Sequence, residues 1–469
     1  MIGFFMFPPG ALLVSDEAAY VGQATLFSHG NTTHEVRHVL QGTAGREVLS
    51  SYPIGTSLLQ APFVRLGGWR WAVAVSLLAT IGTVVVSLVW LRELGRPPIF
   101  ALLPLLYIGT LVQGRIAMSD EVTALVTSLA FWQFSRGERG RPFSWIVAGF
   151  FAGLTSAFRD PTPLLFLPLF VGAFVRREPK AWQLLAGALA GSSLRLGGAK
   201  LLFGSALFLR EAARSGIPLT LNAVGENLPL YLILLAFALP LGLPSLLLHR
   251  GRRKQELILG VAAMMVVYLS FPLPHEMNGW MRDVVLHSRY GNAIVPLVML
   301  TLSEWIPRLT ARRERLRRMI VAGALGSAVL LSLVVHVYLG AYGKTLERIA
   351  SAIYAKTPEN SVLLINSQAT SKFICEARGH RDVINRAEAK PEAVEQFVAR
   401  GEPVYAVFVD RTETASRRED ARENAQFLAA LKEHCRVEVF HDRQVSVIER
   451  IRIARVTACG GGALRDSGR

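Results

Sequence analysis

The chain has 469 residues, 51% of them hydrophobic and 18% charged, with a mean hydropathy of +0.35. A soluble domain carries about 25% charged residues and a disordered chain is poor in apolar ones, so an ordinary cytosolic enzyme and a disordered protein are both excluded. The net charge of +16 fits nucleic acid, an anionic membrane or acidic substrates. Its distribution along the chain decides among them.

Apolar runs occupy 72–91, 98–113, 145–157, 161–175, 228–248, 257–271, 290–306 and 319–341, with two less uniform ones at 120–134 and 182–197. Several are shorter than the roughly 17–25 residues of a spanning helix and must borrow interfacial residues. A large soluble bundle would show amphipathic stripes, whereas these runs read as apolar all round. The expected fold class is therefore a polytopic α-helical membrane protein with about 11 transmembrane helices, filling 1–343. The three cysteines, Cys375, Cys435 and Cys459, form no CxxC or zinc spacing.

Basic residues in short loops set the orientation. The alternate breaks 92–97, 136–143, 176–181, 249–255 and 306–318 hold 18 Lys/Arg against four acids. The opposite breaks 114–119, 158–160, 207–227 and 273–289 hold six Lys/Arg and five acids. The first set is read as cytoplasmic, which accounts for +14 of the net charge and leaves 33 basic and 31 acidic residues elsewhere. The excess charge then faces anionic lipid heads, and nucleic acid is not an expected partner. Segment 15–70 becomes the first outer loop, so 1–14 must cross first. At ~1.5 Å per residue this stretch reaches about 21 Å, short of the ~30 Å hydrocarbon core. It has no basic leader and contains Pro8 and Pro9, so the first helix is expected to begin upstream of Met1.

Beyond about residue 344 the pattern changes. Short apolar runs at 360–365, 404–409 and 437–440 alternate with charged, helix-like stretches at 391–400 and 418–434, which predicts a small extracytoplasmic α/β domain over 344–455. A Cys375–Cys435 bond is one pairing open to it in a disulfide-permissive compartment. The tail 456–469 is expected to be disordered.

Polar motifs gather on the outer side. SDEAAY places Asp16, Glu17 and Tyr20 where the first crossing emerges, and SSYPIG places Tyr52 and Pro53 in the first outer loop. RIAMSDE carries Arg115, Asp120 and Glu121; FRDP carries Arg159 and Asp160; HSRY carries His287, Arg289 and Tyr290. Arg195 and Lys200 lie towards the outer end of the 182–197 run. Ionisable groups near membrane depth are costly and usually functional. Carboxylates serve as general bases, and cations hold phosphate or stabilise one that leaves. The combination points to group transfer from a phosphate-bearing donor.

An acidic pair after the first helix, a YPxG segment, an MSD motif and a late aromatic-flanked Arg resemble the GT-C class of integral-membrane glycosyltransferases. Within that class the chain is most similar to the protein O-mannosyltransferase and lipid A aminoarabinose transferase branch. The resemblance spans about 1–340. It implies a polyprenyl-phosphate-linked sugar donor and an acceptor hydroxyl on a lipid, glycan or protein, at the outer face of the cytoplasmic membrane. By that analogy Asp16 is the general base, Glu17 supports it or orients the acceptor, and Asp120 lines the same cavity. Arg289, Lys200 and Arg159 contact the donor phosphate. Tyr20, Tyr52, Pro53, Glu121, His287 and Tyr290 shape the cavity wall. Some relatives hold a divalent metal there, and no other cofactor is implied. One departure is Asp160, expected to pair with Arg159 and weaken it as a phosphate ligand.

Two other readings compete. HEVRH (34–38) matches HExxH, in which two His one helical turn apart bind zinc and the Glu is the base; otherwise it is a polar surface helix. A transporter or flippase of lipid-linked saccharides is the alternative function, and it would place charges along a path through mid-membrane, whereas these acids cluster at one face. A P-loop and a DxD nucleotide-sugar motif are both missing.

Overall fold

A computed structural model describes residues 12, 15–36, 45–47, 52–204, 206, 220–233, 242–270, 287–309, 314–365, 382–385, 391–411, 415–446 and 449–459. The expected first crossing (apart from Leu12), Cys375 and the last ten residues lie outside this set, as do most of the third and fourth outer breaks. The chain divides into two compact units: 1–6, 50–274 and 280–336 in the first, and 7–49, 275–279 and 337–469 in the second.

The first unit is helical. Its described helices are α2 (Gly55–Gly67), α3 (Val73–Glu93), α4 (Ile108–Gln113), α5 (Asp120–Glu138), α6 (Ser144–Leu154), α7 (Leu167–Val175) and α8 (Ala181–Phe203). After them come α9 (Leu221–Ile233), α10 (Gly242–Leu248), α11 (Lys254–Leu269), α12 (Val295–Leu309) and α13 (Glu314–Lys356), the last belonging to this unit up to His336. With its leading 3-10 turn, Trp69–Glu93 is the one helix among the described residues long and apolar enough to cross a membrane unaided; Ser144–Ala157 and Thr162–Val175 are shorter apolar helices.

The helix α3 corrects the expectation of runs that are apolar all round. Ser76, Thr80, Thr83 and Ser87 recur at helical spacing and are buried, while Leu78, Ile81, Val85 and Val89 recur on another face and are exposed. This is amphipathicity turned inside out: the apolar stripe faces outward and the small polar stripe inward. The run 98–113 is not one helix either. Pro98–Leu106 is a 3-10 stretch with Pro104 inside it, Tyr107 is extended, and α4 follows. Proline lacks the N–H that a helix would need there.

Small residues set the tightest helix pair. A Cβ added at Gly149 or Gly153 of α6 would run into the backbone of Leu184 and Ala188, and one at Gly187 or Gly191 of α8 into that of Ile146, Phe150 and Leu154. Such small-residue seams let helix backbones approach where lipid supplies no hydrophobic drive. Gly153→Leu is therefore expected to cost about 3 kcal/mol, read as a lowered melting temperature of the detergent-solubilised protein.

The second unit holds α1 (Ser15–Ser28), with Asp16 and Glu17 in its first turn, where their charge suits the helix dipole. The strands β1 (His34–Val36) and β2 (Gly45–Glu47) pair antiparallel. The opening of HEVRH, His34–Val36, is therefore a strand and not the helix expected there. Residues 37 and 38 lie outside the described set. The C-terminal part is an α/β unit: β3 (Val362–Ile365), β4 (Asp382–Asn385), α14 (Pro391–Ala399), β5 (Val404–Arg411), α15 (Ala415–His434), β6 (Cys435–Gln444) and β7 (Glu449–Cys459). Its sheet runs β4-β3-β5-β7-β6, parallel on one side of β5 and antiparallel on the other. Val362, Leu364, Val404, Ala406 and Phe408 pack with Val394, Phe397 and Leu431 of the helices in its core.

Cys435 is bonded to Cys459, not to Cys375. The two stand opposite each other in the β6–β7 register, and the tail expected from 456 is strand as far as Cys459. With its ends 24 positions apart in the sequence, the cross-link should contribute about 3 kcal/mol by restricting the unfolded chain. Cys459→Ser, or reduction of the wild type, is expected to lower the stability of this part by the same amount, read as a lowered melting temperature.

Candidate active site

The site in the first unit starts from a turn. Residues 114–119 are held by two neighbouring helices: Gln60 Nε2 donates to the Ala117 carbonyl at 3.0 Å and Ser76 Oγ to that of Met118 at 3.3 Å. The buried Arg115 guanidinium donates to the His336 carbonyl at 3.2 Å. This fixes where α5 begins, and its first two residues, Asp120 and Glu121, are both buried.

Each acid is committed to different partners. Glu121 accepts from Thr80 Oγ1 at 3.0 Å and from Asn292 Nδ2 at 2.6 Å. Asp120 is ion-paired with Arg159. The Arg159 guanidinium also donates from Nε to Tyr268 Oη at 2.9 Å and lies 4.9 Å from the centroid of the Tyr290 ring, inside the range of a cation–π contact. Arg159 was expected to pair with Asp160. That residue instead pairs with Arg195 of α8, so Arg159 is held by Asp120, not by its sequence neighbour.

Aromatic rings form the other wall. Tyr268 and Tyr290 stack at 4.4 Å, Tyr231 lies 6.2 Å from Tyr290, and His287 stacks on Tyr290 at 5.8 Å. Arg289 donates to Tyr290 Oη at 3.1 Å, with its guanidinium 5.0 Å from the same ring. Buried Tyr107 donates to the Ser288 carbonyl and so fixes the 3-10 segment Ser288–Ile294 that carries Arg289 and Tyr290.

The YPIG segment closes on the same turn. Pro53 is buried and Tyr52 half-buried. A Cβ at Gly55 would stand 2.5 Å from the Ala157 carbonyl, immediately before Phe158 and Arg159, and one at Gly198 would stand 2.9 Å from Ile54. Small residues at 55 and 198 thus bring the segment against both the Arg159 turn and the end of α8, where Lys200 is exposed. The unit therefore gathers Asp120, Glu121, Arg159, His287, Arg289 and Tyr290, with Tyr52 and Pro53 beside the Arg159 turn. Asp16, Glu17 and Tyr20 stand on α1 of the second unit, with Glu17 and Tyr20 buried.

Tyr107, Tyr231, Tyr268, Thr80 and Asn292 are not among the residues expected from sequence. Thr80 and Asn292 carry a trace of a signal as polar residues inside apolar runs, and Tyr268 as an aromatic near the end of one. Among the described residues no three His, Cys, Asp or Glu side chains converge as a metal site. With Asp120 already charge-compensated by Arg159, this cluster does not fit a divalent ion, and no chemistry is routed through one.

Two buried carboxylates, two arginines and a tyrosine wall suit a ligand that is anionic at one end and presents a flat ring or hydroxyl-rich face to the aromatics. No family model matches the chain, and no curated protein matches it. Solved structures do. The crystal structure of apo ArnT from Cupriavidus metallidurans has a TM-score of 0.62 at 14% identity, covering 96% of each chain. The same enzyme bound to undecaprenyl phosphate has a TM-score of 0.59 at 16% identity, again over 96% of each. Over nearly its whole length the chain thus has the polytopic membrane fold of ArnT, a lipid A aminoarabinose transferase of the GT-C class.

Proposed function

We propose that the protein transfers a sugar from a polyprenyl-phosphate-linked donor to an acceptor hydroxyl at the outer face of the cytoplasmic membrane. The observation that carries this reading is the Asp120–Arg159–Tyr268–Tyr290 cluster with Arg289 beside it, in a chain whose fold is shared with a protein that binds undecaprenyl phosphate. The acceptor oxygen attacks the anomeric carbon, and the bond from that carbon to the donor phosphate breaks. The hydroxyl proton passes to Asp16, and polyprenyl phosphate leaves. Arg289 and Lys200 compensate the charge developing on the phosphate, while Arg159, fixed by Asp120, orients the aromatic wall. The Cys435–Cys459 bond favours an oxidising compartment for the C-terminal part, as the basic-loop asymmetry does, and about 11 crossings satisfy both.

Two experiments test this. Cell-envelope glycolipids and glycans, compared by mass spectrometry with and without the gene, should differ by one sugar residue on one acceptor class; no difference would count against transfer. For topology, in a Cys375→Ser background, Arg313→Cys should resist an impermeant thiol reagent in intact cells and Asp420→Cys should react. Labelling at 313 would reverse the orientation.

A further inference from the structure

The first turn of α5 carries two acids in succession. Neighbours along a helix point about 100° apart, so Asp120 and Glu121 reach different elements. Asp120 holds Arg159, on the turn that follows α6. Glu121 holds Asn292, which lies in the 3-10 segment Ser288–Ile294 with Arg289 and Tyr290. One helix start therefore ties down the elements that bear both arginines. Both guanidinium groups stand against the same ring, at 4.9 and 5.0 Å from the Tyr290 centroid.

The surroundings of the Glu121–Asn292 bond leave it little freedom. Both residues are 1% exposed. Asn292 Nδ2 donates to one carboxylate oxygen at 2.6 Å and Thr80 Oγ1 to the other at 3.0 Å. The Thr80 hydroxyl also lies 2.9 Å from the Ser76 carbonyl, one turn earlier in α3. On the other side of Asn292, a Cβ at Gly109 of α4 would stand 2.5 Å from its Oδ1, and one at Gly291 would run into the Tyr107 hydroxyl. Helices α3, α4 and α5 thus converge on the segment at Asn292.

The hydrogen-bond partners of Glu121 are neutral, unlike the arginine on Asp120. An enclosed carboxylate of this kind is costly. Replacing buried polar partners by apolar groups of the same shape is often neutral for stability, so stability alone does not account for the pair. What the acid supplies is two acceptor oxygens aimed at two elements. We propose that Glu121 and Asn292 are a positioning pair, whose hydrogen bond sets the Arg289–Tyr290 segment against the Asp120–Arg159 end of α5. Neither side chain touches the substrate; both act through Arg289, held beside the ring that Arg159 orients. This moves Glu121 from the cavity wall, where the family resemblance puts it, to the support behind that wall. The consequence for rate rests on the sugar-transfer reading, whereas the link itself is measurable without it.

The test exchanges donor and acceptor in the full-length protein. Asn292→Asp removes the donor and sets a second carboxylate against Glu121. Glu121→Gln/Asn292→Asp restores the bond with its polarity reversed, since the new amide donates to the new carboxylate and still offers its carbonyl oxygen to Thr80. Hydrogen–deuterium exchange of backbone 287–294 reports the link, and transfer from a polyprenyl-phosphate-linked sugar reports its consequence. Asn292→Asp is expected to speed that exchange about tenfold. It should lower kcat about 30-fold with KM nearly unchanged, because Arg289 acts on charge that develops in the transition state. The double variant should return both readouts to within about fivefold of the wild type, a rescue that a general loss of packing would not give. A wild type without transfer refutes the sugar-transfer reading, and the exchange measurement then decides the link by itself. Unchanged exchange in Asn292→Asp overturns the proposal. So does a double variant no better than Asn292→Asp in exchange or, where the wild type is active, in transfer. Glu121→Gln as inactive as Asp16→Asn would make Glu121 a catalytic carboxylate and overturn it as well. Should Asn292→Asp fail to fold, recovery of a folded protein by the double variant supports the link, and failure of both to fold overturns it.

Discussion

Asp16→Asn is expected to reduce sugar transfer by a factor of 10² to 10⁴, the range over which a positioned general base contributes, while expression and membrane insertion stay at wild-type levels. Asparagine keeps the size and hydrogen-bonding reach of the side chain and removes the proton acceptor. The loss should fall on kcat, because the acceptor still binds and what is missing acts in the transition state. Glu17→Gln separates the two acids of this turn. If Glu17 supports Asp16, its loss is partial and leaves a measurable rate. A purified Asp16→Asn protein that turned over a lipid-linked sugar as fast as the wild type would remove Asp16 from the mechanism.

The second large effect concerns stability and activity together. Arg159 touches Asp120, Tyr268 and Tyr290 together, and the Asp120 side chain is fully enclosed. Arg159→Met removes the ion-pair partner of a buried carboxylate, which costs about 3–5 kcal/mol. The double variant Asp120→Asn/Arg159→Met removes both charges and should recover most of that loss, since a buried ion pair and its neutral replacement are often close in stability. Activity should not return in the double variant, because Tyr290 and the segment bearing Arg289 are no longer oriented. Melting temperatures of the two single variants and the double variant form a cycle that separates these outcomes. Equal stability of wild type and Arg159→Met would show that the pair is solvent-screened, not buried.

Much of this was legible in the sequence for identifiable reasons. The MSDE and HSRY motifs stand out because polar residues are costly in apolar surroundings, and the structure brings their Asp120, Glu121, Arg289 and Tyr290 into one unit with Arg159. What escaped depends on contacts between distant segments. Tyr268 looks like an interfacial aromatic until Arg159, 109 residues away in the chain, is seen donating to it. The inward stripe of Ser76, Thr80, Thr83 and Ser87 was hidden because small polar residues hardly lower the hydropathy of a run. Adjacency in the sequence suggests an Asp160–Arg159 pair, whereas Asp160 pairs with Arg195 and Arg159 with Asp120. The glycines that follow Cys459 give it the look of a tail, and only the strand register sets it opposite Cys435.

The most direct measurement reconstitutes the full-length protein in lipid with a polyprenyl-phosphate-linked sugar and a cell-envelope acceptor extract, and follows the release of free polyprenyl phosphate together with sugar incorporation. The account predicts stoichiometric release and transfer by the wild type, a fall of at least 100-fold in Asp16→Asn, and a comparable fall in Arg289→Ala. Release and transfer that persist unchanged in both variants, or translocation of the intact lipid-linked sugar across the bilayer with no bond broken, would contradict it.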